Sequence, residues 1–263
     1  MTLKKSLTSI AAVFAAAVIF TGCKGTPDTD AESSDMWQLS DSGDNSQIEW
    51  LPDVEIHNFI EPQPGEKIAV ITVKDYGEIK IKFFPEDADK GVENFVGLAE
   101  MNYYDEILFH RVIPEFMIQG GDPKGNGTGG NSFWGGKFEG GTSEHLYHFT
   151  GAVAYAHDPY SGTAGNGSQF YIVNTPDGYL GNTCEELYYY GYNWPANVVD
   201  KYNEVGGVPF LDGEYTVFGQ VFEGIDVVRA IAEVETDQDS ENDIPDDKPL
   251  VPVIMESVRI VEY

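Results

Sequence analysis

Apolar and polar positions alternate in short runs along most of this chain, and in two places the spacing switches to that of a helix. Ile68-Ala69-Val70-Ile71-Thr72-Val73 and Glu78-Ile79-Lys80-Ile81-Lys82-Phe83 predict two strands joined by a hairpin turn over Lys74-Asp75-Tyr76-Gly77. In the second run lysine or glutamate alternates with apolar residues, so one face is expected to meet water. Residues 87–100 take helical spacing, with Val92, Phe95, Val96 and Ala99 on one side and aspartates in the first turn, where they suit the helix dipole. Phe109 to Asp122 reads as a strand, a corner marked by Pro114, and a second strand ending in glycines. Asn166 to Val173 alternates, which puts Gln169 and Tyr171 on one face. Phe210 to Gly219 holds an Asp-Gly turn that feeds a strand. A second helix over 224–234 and a last strand over 254–261 complete the pattern. Many short strands and two helices predict a mainly β fold, a closed antiparallel barrel.

The first 22 residues follow another logic. Lys4 and Lys5 precede an apolar run of about eleven residues, Ile10 to Phe20, too short to span a bilayer, which takes about twenty. Thr21-Gly22-Cys23 follows, and small residues leading into a cysteine resemble a bacterial lipobox, with Phe20 where leucine is usual. That resemblance implies residues 1–22 as a lipoprotein signal peptide, lipidation of Cys23, and a cell-membrane protein lipid-anchored on the extracytoplasmic face. Residues 23–63, rich in Asp, Ser and Gly, read as an acidic tether, although Ile48 to Ile60 has enough apolar residues to lie against the domain that fills 64–263.

Charge narrows the partners. The chain carries 44 acidic and 15 basic residues, a net charge of −29, and losing Lys4 and Lys5 with the signal takes it to −31. Such a surface repels nucleic acid and anionic lipid headgroups and favours basic or neutral polypeptides at encounter. Attachment to a membrane therefore has to come from the lipid. Only two cysteines occur, Cys23 and Cys184; with Cys23 lipidated no internal disulfide forms, and Cys184 is left as a buried thiol or an exposed, reactive one. About 200 residues are ample for a core that holds without one.

The chemistry concentrates around Arg111, one of three arginines, set in the apolar stretch Phe109-His110-Arg111-Val112-Ile113-Pro114-Glu115-Phe116-Met117-Ile118-Gln119-Gly120-Gly121-Asp122. A guanidinium there is costly unless something accepts its hydrogen bonds, which leaves a core arginine satisfied by carbonyls or a functional one. This stretch, then Asn126-Gly127-Thr128-Gly129-Gly130, then Asn166-Gly167-Ser168-Gln169-Phe170-Tyr171-Ile172-Val173, then Phe210 to Gly224, in that order, resemble the cyclophilin family of peptidyl-prolyl cis/trans isomerases over residues 65–263.

The resemblance implies eight strands with a helix over each open end, and a peptidyl-prolyl cis/trans isomerase that needs neither cofactor nor metal. It implies Arg111 and Gln119 as the catalytic pair, with Phe116, Met117, Ala156, His157, Gln169, Tyr171, Phe210, Leu211 and Tyr215 binding substrate. Ala156 and His157 match the edge where the family pairs backbone with the peptide. His110 is read as structural, since the reaction transfers no proton. Clients would be proline-containing segments of exported proteins, helped to fold outside the cytoplasm by a monomer. A non-catalytic module that binds proline segments, or a chaperone on the cell surface, is the alternative.

The sequence departs from the family's usual pattern at four site positions. Tyr171 stands where many members have phenylalanine, Phe210 where many have tryptophan, Tyr215 where many have histidine, and His157 where many have asparagine. The first three keep a ring; the tryptophan position is tied in the family to cyclosporin binding. An insertion at about 181–209 carries Tyr188-Tyr189-Tyr190, Tyr192 and Trp194, then a short helix over 195–202 stopped by Gly206-Gly207. It is expected either to wall the substrate groove or to pack its own aromatics. Gly125 to Gly130 lacks the Lys-Ser/Thr of a phosphate loop, and residues 237–243 lack the glycine of a calcium loop, so both read as solvated loops.

Overall fold

The computed structural model describes residues 48–178, 182–237 and 247–263. The stretch expected to be a signal peptide, Cys23 and most of the expected acidic tether lie outside the described residues. Eleven strands are described: β1 (Lys67–Val73), β2 (Gly77–Phe83), β3 (Ile107–Phe109), β4 (Arg111–Ile113), β5 (Met117–Gly120), β6 (Ala152–Tyr155), β7 (Phe170–Val173), β8 (Val217–Glu223), β9 (Thr236–Asp237), β10 (Lys248–Pro249) and β11 (Val253–Glu262). The four helices are α1 (Asp89–Glu100), α2 (Cys184–Tyr188), α3 (Ala196–Val205) and α4 (Ile225–Ala232).

Nine of the strands run β3-β11-β1-β2-β8-β6-β7-β5-β4 in one sheet, every pairing antiparallel. β3 and β4 are halves of a single strand interrupted at His110. The first half pairs with β11, Phe109 opposite Val253, and the second with β5, Arg111 opposite Gln119. The His110 N–H donates to the Gln119 carbonyl at 2.9 Å across the break. The two ends of the sheet therefore meet in one strand, and the wall closes as an eight-stranded antiparallel barrel with no free edge. The remaining β9 and β10 form a separate two-stranded ribbon.

Side chains of alternate parity face opposite ways through this wall. Ile71, Ile79, Ile81, Val112, Ile118, Val153, Tyr155, Phe170, Ile172 and Phe218 meet in one buried cluster inside the barrel, together with Phe95 of α1 and Val228 and Ile231 of α4. Phe95 is the hub, with ring centroids 4.9 Å from Tyr104, 5.3 Å from Phe170 and 5.4 Å from Phe218. The buried face of α1 is Gly91, Asn94, Phe95, Leu98 and Ala99. It is turned from the predicted one: Val92 and Val96 only flank the core, because Asn94 is needed inside. The Asn94 amide donates to the Tyr155 hydroxyl and the Gly167 carbonyl, both at 2.9 Å, and its oxygen accepts the Phe133 N–H at 2.7 Å. Gly224, which opens α4, has φ +91°, and a Cβ there would collide with the Glu78 carbonyl oxygen.

Two expectations change. The alternating face of β2 is not uniformly wet: Lys80 reaches Glu223 at 2.7 Å, but Lys82 is buried and meets Glu66 at 2.5 Å. Lys82 shares its cavity with Asn58, Phe59, Ile60 and Glu61, so the chain before the barrel covers it. The same contact shortens the tether drawn over 23–63, since its last part is docked. Leu51 donates to the Trp194 carbonyl at 2.9 Å and accepts from Ala196 at 3.0 Å, and the buried Asn58 amide donates to the Tyr147 carbonyl and the Gln220 side chain, both at 3.0 Å.

The insertion forms two helices where one was expected. α2 is started by a capping box, the Thr183 hydroxyl accepting from Glu186 N–H at 3.1 Å while the Glu186 carboxylate accepts from Thr183 N–H at 3.0 Å. α3 begins after Pro195 and ends at Gly206, φ +76°. Their apolar faces make a cluster of their own: Cys184, Leu187, Trp194, Val198, Val199 and Tyr202 with Tyr147 and Phe149, flanked by Trp50, Val54 and Ile56 of the docked stretch. Cys184 is fully buried there, and burial pushes its thiol up to about 12, with Glu185 and Asp212 adding to the shift. Of the two expectations for this thiol, the structure shows the buried one.

Candidate active site

The register of five strands lays the candidate residues side by side on the outer face of the barrel. Arg111 stands opposite Gln119, Gln119 opposite Tyr171, Tyr171 opposite Ala154, and Ala154 opposite Val217. The next row on the same face is Ile113, Met117 and Val173. Around these rows a second buried cluster gathers Met117, Tyr171, Leu211, Ala154, Leu146 and Val217, with Phe116, Ala156, Phe210 and Tyr215 half-buried against it. The sequence-predicted pocket residues are therefore in one place, on elements up to about a hundred positions apart.

Phe210 lies on a short 3-10 turn, Pro209–Leu211, and its ring stacks on Phe116 at 6.1 Å. Tyr215 stands edge-on to Tyr171 at 5.9 Å and stacks on His157 at 4.3 Å. Burial and Glu214 push the Tyr215 hydroxyl above its ordinary range, and the positive charge of Arg111 pulls it the other way. The His157 ring nitrogens lie 2.9 Å from the Asp158 carbonyl and 3.0 Å from that of Glu214. The Ala156 N–H is already committed to the Gln169 carbonyl at 2.9 Å, so His157 is the first residue of this strand past the ladder.

Gln119 donates to the Gln169 side chain at 3.0 Å, and Gln169 donates in turn to the carbonyls of Gly127 at 3.0 Å and Gly129 at 2.8 Å. Gln169 thus fixes the head of Gln119 and holds the Gly-rich loop against the barrel. That loop wraps the buried Asp122 carboxylate. Burial alone would raise Asp122, but backbone N–H groups of Lys124, Asn126, Gly129 and Gly127 outweigh it and hold the carboxyl below the usual range. Gly121 just before it, φ +84°, passes so close to Ser168 that a Cβ would strike the carbonyl oxygen.

Three residues of this region were not singled out from the sequence. Asp247, at φ +67°, brings a carboxylate oxygen 3.5 Å from Nε of Arg111, and its carbonyl accepts the Val112 N–H at 2.8 Å. Of the guanidinium's five N–H donors the contact engages the one on Nε. The other two are His148 and Asp212. Asp212 Oδ1 accepts from the His148 backbone at 2.9 Å and lies 2.8 Å from its Nδ1; Oδ2 accepts from Trp194 Nε1 at 2.8 Å and the Tyr202 hydroxyl at 2.7 Å. A carboxylate only accepts, so Nδ1 of His148 carries a proton, and in the neutral ring Nε2 accepts from the Tyr171 hydroxyl, 3.0 Å away. The hydroxyl that distinguishes Tyr171 from phenylalanine is thereby tied, through two side chains, to the insertion. Asp212 was read only as half of an Asp-Gly turn, and nothing in the pattern pairs it with a histidine 64 positions earlier.

His110 is buried, and neither ring nitrogen has a hydrogen-bond partner among the described residues. Burial holds its pKa below the ordinary 6.5, with Asp122 acting in the opposite sense. The structural reading of this histidine fits that position.

Residues 68–260 match the cyclophilin type peptidyl-prolyl cis-trans isomerase/CLD family. A Staphylococcus aureus (strain USA300) protein, provisionally named a peptidyl-prolyl cis-trans isomerase, is 42% identical over 205 residues, covering 77% of this chain and 95% of its own. A Streptococcus pyogenes serotype M6 protein, provisionally named a bifunctional phosphatase/peptidyl-prolyl cis-trans isomerase, is 41% identical over 206 residues, covering 77% of this chain and 40% of its own. Among solved structures, a Cryptosporidium parvum cyclophilin type peptidyl-prolyl cis-trans isomerase is similar with 26% identity and a TM-score of 0.57, over 75% of this chain and 98% of that one. The same protein crystallised in the presence of the dipeptide Ala-Pro gives the same identity and TM-score over 74% and 99%.

Two measurements check this electrostatic frame. Since the folded chain protonates His110 only at lower pH than the unfolded chain does, stability is full above pH 6.5 and falls as pH drops from there toward the folded pKa. The urea midpoint should decline between pH 7.5 and 5, and His110→Gln should flatten that decline; an unchanged slope in the variant would refute the assignment. Asp212→Asn puts an amide N–H₂ among four donors and strands at least one of them, so the urea midpoint should fall by the equivalent of about 1–3 kcal/mol.

Proposed function

The chain belongs to the cyclophilin-type peptidyl-prolyl cis-trans isomerase family, and from that premise we propose that it accelerates rotation about X-Pro bonds in exported polypeptides, assisting their folding on the extracytoplasmic face of a membrane. The X-Pro amide turns over in tens to hundreds of seconds unaided, against a barrier near 18–20 kcal/mol set by amide resonance. A catalyst must favour the twisted state, in which the nitrogen regains its lone pair. Each tenfold of rate requires about 1.4 kcal/mol of preference for that state over the planar ones.

The observation that carries the proposal is the row Arg111, Gln119, Tyr171, Ala154 beside the apolar cluster of Met117, Phe116, Leu211 and Tyr215. In this reading the proline ring enters the cluster, and Arg111 aims an N–H donor at the prolyl nitrogen as it becomes pyramidal. Gln119, held by Gln169, orients the neighbouring carbonyl and the guanidinium. The residues before proline align with the strand end at Ala156 and His157. Burial and Glu214 push the Tyr215 hydroxyl above its ordinary range, so it keeps its proton across the neutral range.

Attachment to the membrane is the second part of the proposal, and it rests on Lys4, Lys5, the apolar run 10–20 and Cys23. Among the described residues no helix is long and apolar enough to cross a membrane, so a lipid on Cys23 would be the means. Its clients would be proline-containing segments of secreted chains, met by a monomer.

The decisive experiment is catalysis of a short X-Pro peptide by the full-length chain and by Arg111→Ala. Loss of one transition-state donor should lower kcat/KM by about 10² to 10³ with KM little changed. A folded wild-type chain that gives no acceleration would instead establish the binding module. For the anchor, Cys23→Ala should move the protein from the membrane to the soluble fraction of the cells that make it; retention in the membrane would remove the lipid from the account.

A further inference from the structure

Next to the proline-pocket cluster the surface opens into a second groove of about 510 Å³, within the size range of ligand sites. The docked stretch at Leu51 and Asp53 forms one wall, Glu144 and Leu146 another, and Tyr192 and Trp194 of the insertion the third. Asp212 and Gly213 also border it.

Two features join this groove to the candidate active site. Asp212 and Gly213 are the residues that directly follow Leu211 and lead to Tyr215, and Leu146 belongs to the same buried cluster as Met117 and Tyr171. Asp212 moreover holds Trp194 by one oxygen and, through His148, the Tyr171 hydroxyl by the other. A polypeptide with its proline among Phe116, Met117 and Leu211 therefore has this groove as its continuation on one side.

The lining states what would fit. Tyr192, 38% exposed, stacks in parallel on the buried Trp194 at 5.8 Å, and Leu51 is 46% exposed, so Tyr192 supplies the aromatic surface of the groove and Leu51 the apolar one. Asp53 and Glu144 add carboxylates, and no lysine or arginine lines the groove. The Asp212 carboxylate is spent on its four protein donors, which leaves Asp53 and Glu144 to meet a ligand. Aromatic faces beside carboxylates suit the long aliphatic stem and cationic head of lysine or arginine.

We propose that this groove is a second contact site for the client chain, binding the residues that flank the proline and selecting lysine or arginine there. The inference rests on the isomerase reading and specifies its substrate class: X-Pro segments in basic surroundings.

The test uses the full-length chain and three blocked peptides: a short X-Pro core, the same core flanked by lysines, and the same core flanked by glutamates. At about 10 mM salt the lysine-flanked peptide should exceed the glutamate-flanked one in kcat/KM by about three- to tenfold. The ratio should shrink by 150 mM, as the screening length falls from about 30 Å to about 8 Å. Glu144→Lys should remove most of the ratio and leave the short core's rate unchanged, and Asp53→Asn, which keeps an acceptor for the Asn197 N–H, should reduce the ratio. Glu233→Lys, at the end of α4 and outside the groove, is the control for overall charge. Equal turnover of both flanked peptides, or loss of the ratio in Glu233→Lys as large as in Glu144→Lys, would overturn the proposal. Anisotropy of a labelled lysine-flanked peptide reads binding independently of turnover. Were the short core not accelerated at all, the isomerase reading would fail, and Glu144-dependent binding would still decide the groove.

Discussion

The parity of the barrel wall is the constraint on which everything else rests. Each strand has one face for the interior and one for the outside, and the candidate site occupies the outside of β4, β5, β7, β6 and β8. Val112, Ile118, Ile172 and Val153 lock the inner face into the cluster around Phe95, and that packing is what aims Arg111, Gln119, Tyr171 and Ala154 outward. A slip of one residue in β4 would drive the guanidinium into an aromatic core and carry Val112 into water. The interior therefore never touches a substrate, yet it sets the position of every residue that would.

Closure adds to this. Because one strand serves β11 with its first half and β5 with its second, the last strand of the chain is in contact with the strand that carries Arg111. A disturbance near the C-terminus is thereby transmitted to the site through one break at His110. The insertion is attached by a different device. It has its own small core, but Phe210 packs on both that core and the pocket cluster, and Asp212 gathers His148, Trp194 and Tyr202 around one carboxylate. The insertion thus packs its own aromatics, as one of the two expectations had it, and through Phe210 and Asp212 it is also tied to the pocket cluster.

Much of the barrel was legible because alternation and helical spacing are local properties. β1, β2 and their hairpin, the strand–corner–strand around Pro114, α1, α4 and β11 all stand where the apolar pattern put them, with ends shifted by a residue or two. α2 was not read from the sequence: its apolar residues are too few to announce a helix, and the Thr183-x-x-Glu186 capping box is its one local signal. The docking of Leu51 to Ile60 was signalled by its apolar residues, but Lys82 and the Asp212 network were not legible, for a common reason: each depends on a partner far away in sequence, and a lysine or aspartate looks the same whether it meets water or a buried acceptor. Asp247 belongs with these, since it faces Arg111 from the turn just before β10, 136 positions further along the chain.

Cys184 closes the account of the insertion in another way. Its sulfur sits beneath α2 in the insertion's own core and not in the barrel, and as a thiol of high pKa it cannot react while covered. A reagent reaches it only when that core opens, so the rate of thiol modification in the native protein is a clock for the opening of that core. Set beside the global unfolding rate, that clock tells whether the insertion and the docked N-terminal stretch breathe as a separate cooperative unit or only together with the barrel.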